Sequence, residues 1–571
     1  MTLTVYKQLA TMQDLALGNG KVIQRRNGKD LELDKISIIG SVNNIADLRA
    51  IDYTLDDNAV FKVSGYLLAT ENRDWDFQWN SSDLSTEVAA DTQSGIYVAR
   101  NSDLTGASGA FVRQYSGSLY IEWFGANTTR LDNNIPIQAA LVFANTNSIR
   151  SIRITHGVYQ VSSNIMILGN NTTIKGASSG TAYNSLSTPS TVIRAIAGVT
   201  IIFDYITTIG TEGARECLLQ DLDIDGNSIA EKGVYIAAQN TIDRCRIRGN
   251  TIAGVHMANF TNTMKITNCG LNQNPGVGLL VSGVSSTTYS VTDTNISLNT
   301  IGGVLLESGV GVNFTNVVIE SNDGYGLKIN KPNTHTNSME NFEFNNVWLE
   351  DNAATVGTYV LEINSGTSSP EYAPLKIDFK QCRLSCLTER ELFNFNVTKW
   401  VKFTNCNISL ETPVSATLVA ITANAHHISF IENDYTGFSS SDNLSDAWYE
   451  TIITTGQYNY RYESTHKTFV GVDSGVAFEN SWANVGTPWE DASYYFDSDG
   501  LVHLQGSIKT GTLGIQAFTL PLGYRLAKQQ AFIVNSNGAF GLVYVKTNGQ
   551  VIMTTASQAI TSLDGIVFST Q

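Results

Sequence analysis

The sequence predicts an all-β chain whose centre is a parallel β-helix, and three observations predict it. Composition is the first. Of 571 residues only 15 % are charged and 42 % are hydrophobic, with 47 glycines and 9 prolines. That balance favours short strands joined by polar turns over helices, coiled coils or charged tails. The second is a repeat. Eight segments align: LQDLDID at Leu219, IDRCRIR at Ile242, ITNCGLN at Ile266, VTDTNIS at Val291, FTNVVIE at Phe314, FNNVWLE at Phe344, FKQCRLS at Phe379 and FTNCNIS at Phe403, with starts 23, 24, 25, 23, 30, 35 and 24 residues apart. The third is a companion motif, a glycine followed by apolar residues, at Gly233, Gly254, Gly278, Gly303 and Gly326, each preceded by an asparagine turn at Asn227, Asn250, Asn274, Asn299 and Asn322.

A period of 23–25 residues with two or three short strands is one coil of a β-helix, stacked on the next at about 4.8 Å. The first position of each segment is apolar throughout and predicts one inner column. The fourth (Leu222, Cys245, Cys269, Thr294, Val317, Val347, Cys382, Cys406) predicts a second, which makes four of the six cysteines small core residues. All six, Cys217 and Cys386 included, read as reduced thiols of a protein made inside a cell. The third position (Asp221, Arg244, Asn268, Asp293, Asn316, Asn346, Gln381, Asn405) is a polar ladder whose side chains would satisfy backbone groups at a bend between coils.

Around this centre the patterning changes. Residues 1–40 read as an adaptor segment with weak patterning and a basic QRRNGK stretch at 24–29. Residues 41–118 read as a small head domain with strands at VFKVSGYLL and SGIYVAR. The β-helix domain spans 119–440, with an amphipathic helix at Ile135–Ala144 covering its open end, where core and strand edges would otherwise meet water. A linker, 441–465, leads to a β-sandwich at 466–571, whose segments YYFDSDGLVHLQGSIKTG and GLVYVKTNGQVIMTT read as hairpins with Asp-Gly and Asn-Gly turns. Thirty-six basic against 52 acidic residues give a net charge of −16, which opposes nucleic-acid binding. No run of 18 apolar residues predicts membrane insertion, and no secretory signal is expected at the start.

At WFGA (Trp123–Ala126), the helix with IQAAL, and the His156-Gly157-Val158-Tyr159 turn, the sequence resembles the pectate-lyase-like, right-handed β-helix domain of bacteriophage tailspikes. SVNNIADLRAI with VFKVSGYLL resembles the head domain of these spikes. The stretch from SWANVGTPWEDASYYF through FTLPLGYR to SLDGIVF resembles the C-terminal sandwich of phage fibres and spikes. The resemblance covers residues from about 41 to the end. It implies a homotrimeric virion protein, made in the host bacterial cytoplasm and joined through its N-terminus to the phage tail or to another tail fibre or spike. It also implies a capsular polysaccharide depolymerase, binding and usually cleaving a bacterial surface polysaccharide without a cofactor. Where the family pattern reads GADGTTDDTAAIQAAL, this chain has GANTTRLDNNIPIQAAL, so the motif supplies no catalytic residue.

The repeat itself nominates the chemistry, because positions five and seven of each segment are predicted to face solvent. Glu320 and Glu350 share position seven on successive coils, with Trp348 two residues from Glu350. Stacked carboxylates stand roughly 5 Å apart, where like charges separate an acid from a base. Glycoside hydrolysis uses such a pair, about 5–5.5 Å apart for retention and 6.5–9.5 Å for inversion. An outward tryptophan suits sugar stacking. Lys328, Arg383 and Glu362 would complete a substrate-binding surface, and the extra residues near 331–341 and 365–373 would wall a groove beside it. The plain reading is solvated surface, with Lys328 and Arg383 in ordinary ion pairs, and Trp348 packed on a neighbouring subunit.

An alternative site is Asp223 and Asp225 with Arg246 and Arg248 one coil on. A salt-bridge ladder is the better reading there. A polysaccharide lyase would instead use the arginines to neutralise a uronate, and Tyr235 or His256 as base. A non-catalytic adhesin that only binds glycan stays open, and so does a cellular pectin-degrading enzyme, less favoured because the end domains resemble virion parts. No metal is expected: His426–His427 lacks companion ligands, and no Walker loop, GxSxG or dinucleotide fingerprint is present. Trp482, Trp489, Tyr494 and Tyr495 fit core or subunit contact better than sugar binding.

Overall fold

The computed structural model of the protein describes residues 38–67, 75–179, 190–207, 213–258, 261–283, 285–335, 337–355, 357–365, 374–386, 391–410, 425–431, 433–436, 476–496 and 501–570, with short strands within 15–33 and at 419–421 and 467–468. The linker expected at 441–465 and residues 366–373 of the second insertion lie outside them, as do the side chains of Cys386, His426 and His427. The chain divides into two compact units, residues 1–280 and 281–571. Parallel coils run in each.

The first unit opens on a five-stranded sheet in the order Ile38–Val42, Val60–Val63, Trp75–Asn80, Ala110–Arg113, Tyr97–Ala99. Phe61, Phe77, Trp79 and Phe111 fill its core. The buried Arg113 guanidinium lies 4.2 and 4.3 Å from the Trp75 and Phe77 rings. A helix at Asn134–Thr146 buries Ile137, Ala140, Leu141, Phe143 and Ala144 and packs on the first coil strands. Buried Glu122, immediately before WFGA, accepts hydrogen bonds from the Thr155 backbone (2.8 Å), the Thr155 hydroxyl and the Tyr159 hydroxyl (both 2.6 Å). The coils then build three parallel sheets. Leu218–Gln220, Thr241–Asp243 and Lys265–Thr267 belong to the first, Asp223–Asp225 and Arg246–Arg248 to the second, Lys232–Ile236 and Ala253–Met257 to the third.

In the second unit the first sheet runs Ser290–Thr292, Val310–Thr315, Glu340–Asn345, Leu375–Lys380, Thr398–Thr404, Ala425–Ile431. The second contains Asn295–Ser297, Val318–Glu320, Trp348–Glu350, Arg383–Cys386, Asn407–Leu410 and Asp434–Thr436. The third contains Gly302–Leu306, Tyr325–Lys331, Tyr359–Ser365, Glu391–Phe395 and Val419–Ile421. The first-position phenylalanines stack at the coil spacing: Phe344–Phe379 centroids are 4.6 Å apart and Phe379–Phe403 4.7 Å. Cys217, Cys245, Cys269, Cys382 and Cys406 are buried free thiols.

Two features differ from the strand reading of the repeat. Each seven-residue segment is two strands, because all eight third-position residues turn the chain at φ between 49° and 57°. Asp and Asn tolerate that left-handed conformation. Their side chains then bond coil to coil, Asn346 Nδ2 donating to Asn316 Oδ1 at 2.9 Å and Asn316 Nδ2 to Asp293 Oδ1 at 3.0 Å. The asparagine turn forms a further ladder within each unit, fully buried at Asn250 and Asn274 in the first and at Asn299, Asn322 and Asn352 in the second. Asn227 stays outside it, exposed, because its turn to Gly233 is two residues longer than those of the other coils.

Beyond the coils the second unit carries antiparallel sheets. Ser493–Phe496 pairs with Leu501–Gln505, and Ala539–Val545 with Gln550–Thr555 through the Asn548-Gly549 turn. Trp482, Tyr494, Phe518 and Phe568 lie in a common buried core. This places Trp482 and Tyr494 in packing, whereas Trp489 is 53 % exposed.

Candidate functional site

Glu320 and Glu350 are direct register partners on adjacent second-sheet strands, so their backbones stand one coil spacing, about 4.8 Å, apart. Both are half-buried, and Trp348 beside them is 40 % exposed. Glu320 Oε1 accepts from Asn295 Nδ2 at 3.2 Å. Glu350 Oε1 lies 3.1 Å from Arg383 Nη2, and the same guanidinium stands 5.3 Å from the Trp348 ring centre. Lys328 does not join this group. It pairs with its third-sheet register partner Glu362 at 3.0 Å. The first insertion leads from the third-sheet strand Tyr325–Lys331 to the first-sheet strand Glu340–Asn345, and His335 Nδ1 lies 2.9 Å from the Glu307 carbonyl.

In the first unit, Asp223, Asp225 and Arg246 were predicted to face solvent and are instead 4 %, 3 % and 8 % exposed. The physical reason is mutual cover by long charged side chains from adjacent coils. Arg248 reaches Asp223 at 3.1 Å and Asp225 at 3.0 Å, Arg194 reaches Asp225 at 2.9 Å, and Arg246 donates to Gln273 at 3.1 Å. Burial pushes the Asp223 carboxyl up against the opposing pull of Arg248, and burial draws Arg246 below its ordinary value. Tyr235 and His256 are third-sheet register partners with ring centres 5.0 Å apart. Burial first, and then the Lys232 charge, pushes His256 down to about 4. Lys232 in turn sits 4.6 Å over the Tyr235 ring.

A concavity missed by the sequence reading lies on the first sheet of the second unit. It is a cleft of about 620 Å³ lined by Asn341, Phe342, Glu343, Lys376, Asp378, Trp400, Lys402 and Ser429. Glu343, Asp378, Lys402 and Ser429 are successive register partners. Asn341 (φ 59°), Lys376 (φ 54°) and Trp400 (φ 55°) form a parallel column of left-handed residues, a conformation unusual for a side chain as large as tryptophan. Trp400 is 47 % exposed. Glu343 Oε1 accepts from Lys380 Nζ at 2.8 Å and holds that ammonium above its ordinary value. The available signal was one residue upstream of the aligned segments, where Glu343, Asp378 and Lys402 are charged on successive strands of six or seven residues.

Among the described residues no group of three or more His, Cys, Asp or Glu side chains is placed to hold a metal ion, and no helix is long and apolar enough to cross a membrane. No protein-family model matches the chain, and no curated protein matches it. Among solved structures it is similar to tailspike protein gp49 of the Acinetobacter baumannii bacteriophage Fri1, a capsular polysaccharide depolymerase. The identity is 13 %, 93 % of this chain and 98 % of that one are covered, and the TM-score is 0.53. It also aligns with tailspike protein 2 of the Escherichia coli O157:H7 bacteriophage CAB120, at 12 % identity over 96 % and 76 % of the two chains and a TM-score of 0.45. The A-module of the Azotobacter vinelandii mannuronan C-5 epimerase AlgE4 aligns at 15 % identity over 56 % and 96 %, with a TM-score of 0.39. The first of these likenesses, spanning nearly both chains, shows that this protein has the parallel β-helix fold of a phage tailspike.

Proposed function

We propose that this chain is a phage tailspike depolymerase that binds a bacterial capsular or other surface polysaccharide and cleaves it by endo-glycosidic hydrolysis. Glu320 and Glu350 serve as acid and base or nucleophile. The observation that carries the mechanism is the register pairing of Glu320 with Glu350 beside a 40 % exposed tryptophan. One carboxylate protonates the leaving oxygen while the other activates water or attacks the anomeric carbon. Trp348 offers an apolar ring face to the sugar, and Arg383 fixes Glu350 from the other side. The fold shared with a depolymerase supports the substrate class.

The protein acts as a homotrimer on the virion, attached to the phage tail through its N-terminal segment. Ile533 and Phe540, 74 % and 86 % exposed on one hairpin, supply apolar surface for a subunit contact.

The test is a spot assay of the purified full-length protein on a panel of capsulated bacteria, followed by chemistry on any cleared polysaccharide. New reducing ends without ultraviolet absorbance are expected. Products absorbing as unsaturated uronates overturn hydrolysis in favour of a lyase. Polysaccharide retained uncut makes the protein an adhesin.

A further inference from the structure

We infer that the first-sheet cleft around Trp400 is a second glycan-binding site, separate from Glu320 and Glu350, and that it takes an acidic polysaccharide chain. The inference rests on the reading of this protein as polysaccharide-acting. Four observations carry it. The cleft has a volume of about 620 Å³ and follows register partners from Glu343 to Ser429 across four strands. That is about 14 Å of coil rise, a length suited to a run of sugar rings rather than to a single ring. Trp400 is held in the left-handed region and left 47 % exposed, which is a costly arrangement for packing but a usable platform for a sugar face.

The charges set the ligand class. Glu343 is already paired with Lys380. Lys376 and Lys402 are exposed and make no ion pair among the described residues. With Lys380 counted beside its partner, three lysines stand against Glu343 and Asp378, a local excess of positive charge in a chain of net charge −16. Two lysines beside an aromatic platform bind carboxylate or phosphate substituents on a polymer, and Asp378 accepts from its hydroxyls. The Glu320–Glu350 pair lies on the second sheet, so the two sites hold different stretches of chain. Binding at one cleft raises the effective concentration of chain at the other face.

The experiment immobilises purified bacterial surface polysaccharides, some neutral and some bearing uronate or phosphate, and measures initial retention of the full-length protein. Wild type should be retained on at least one acidic member. Trp400→Ala and the double variant Lys376→Ala/Lys402→Ala should each lose at least tenfold in retention, while folded mass and elution volume stay unchanged. Retention by both variants equal to wild type, on a polysaccharide the protein cleaves, overturns the cleft and leaves the depolymerase reading standing. Retention confined to neutral polymers overturns the acidic class. A changed elution volume for Trp400→Ala places that residue in a subunit contact and overturns the site. A wild-type protein that neither binds nor cleaves any member overturns both readings.

Discussion

Arg383 Nη2 lies 3.1 Å from Glu350 Oε1, so the two carboxylates of the register pair have different partners: an arginine for Glu350, the Asn295 amide for Glu320. That asymmetry suits two chemical roles on one face. Glu320→Gln and Glu350→Gln should each lower cleavage by about 10²–10⁴-fold, the usual contribution of a positioned acid or base. Because both side chains are half-buried at the outer face, neither change should unfold the protein. Arg383→Ala should cost less, about tenfold, by freeing the Glu350 rotamer. Reducing-end release on one susceptible polysaccharide measures all three, and full activity in both Gln variants would sink the pair.

The alternative cluster makes an opposite prediction. Arg248 bridges Asp223 and Asp225, both nearly inaccessible to water. Removing it by Arg248→Ala leaves two buried carboxylates, one of them still paired with Arg194, and breaking such a pair costs about 3–5 kcal/mol. The thermal midpoint should fall clearly. The triple variant Asp223→Asn, Asp225→Asn, Arg248→Gln should lose less, because no buried carboxylate is left charged and the Arg194 that loses its partner is partly exposed. An Arg248→Ala protein of native stability that no longer cleaves would instead assign this cluster to catalysis.

The inner columns were legible because burial imposes one side-chain class on each position: Phe344, Phe379 and Phe403 repeat in sequence and stack in space. The bend at position three was legible as polarity but not as geometry, since Asp221 and Arg244 carry no common signature of a left-handed φ beyond being polar. Exposure was harder still. Asp223 and Arg246 alternate as outward residues should, yet long side chains on adjacent coils cover them. The Trp400 cleft escaped because it depends on three residues, Asn341, Lys376 and Trp400, leaving the strand conformation together. Their types share nothing a repeat alignment rewards.

The buried asparagine ladder should be the stiffest polar element of the coils. Asn322 Nδ2 donates to Asn352 Oδ1 at 2.7 Å and to the Ile296 carbonyl at 3.1 Å, while its Oδ1 accepts from the Asn299 backbone at 3.0 Å and the Asn299 amide at 2.9 Å. Asn322→Ala strands several buried donors and acceptors at about 1–3 kcal/mol each, so a total loss of about 3–5 kcal/mol is expected. Asn227→Ala, at an exposed turn outside the ladder, should cost less than about 1 kcal/mol. Urea unfolding of the two variants side by side measures the contrast, and equal losses would show that the ladder contributes nothing special.

His256 predicts a pH dependence of stability separate from activity. Burial and the neighbouring Lys232 push its imidazole down to about 4 in the folded protein, against an ordinary value of 6.5. The unfolded chain therefore takes up a proton that the folded chain resists, and stability declines as pH falls from about 6.5 to about 4. Above and below that window the group contributes no slope. The gap sets a ceiling of about 3 kcal/mol on the loss. Tyr235 lies beside the ring, tilted at 50° with centroids 5.0 Å apart, and the Lys232 ammonium stands over Tyr235. Asp221 lies outside this window. Despite the upward pull of its partial burial, hydrogen bonds from Arg244 and Lys175 hold its carboxyl below the ordinary 3.8, so its contribution is lost only as pH falls further. His256→Gln should accordingly flatten the thermal midpoint between pH 6.5 and pH 4 and leave the steeper acid limb in place. An unchanged slope in that variant would show that the imidazole does not titrate in this range.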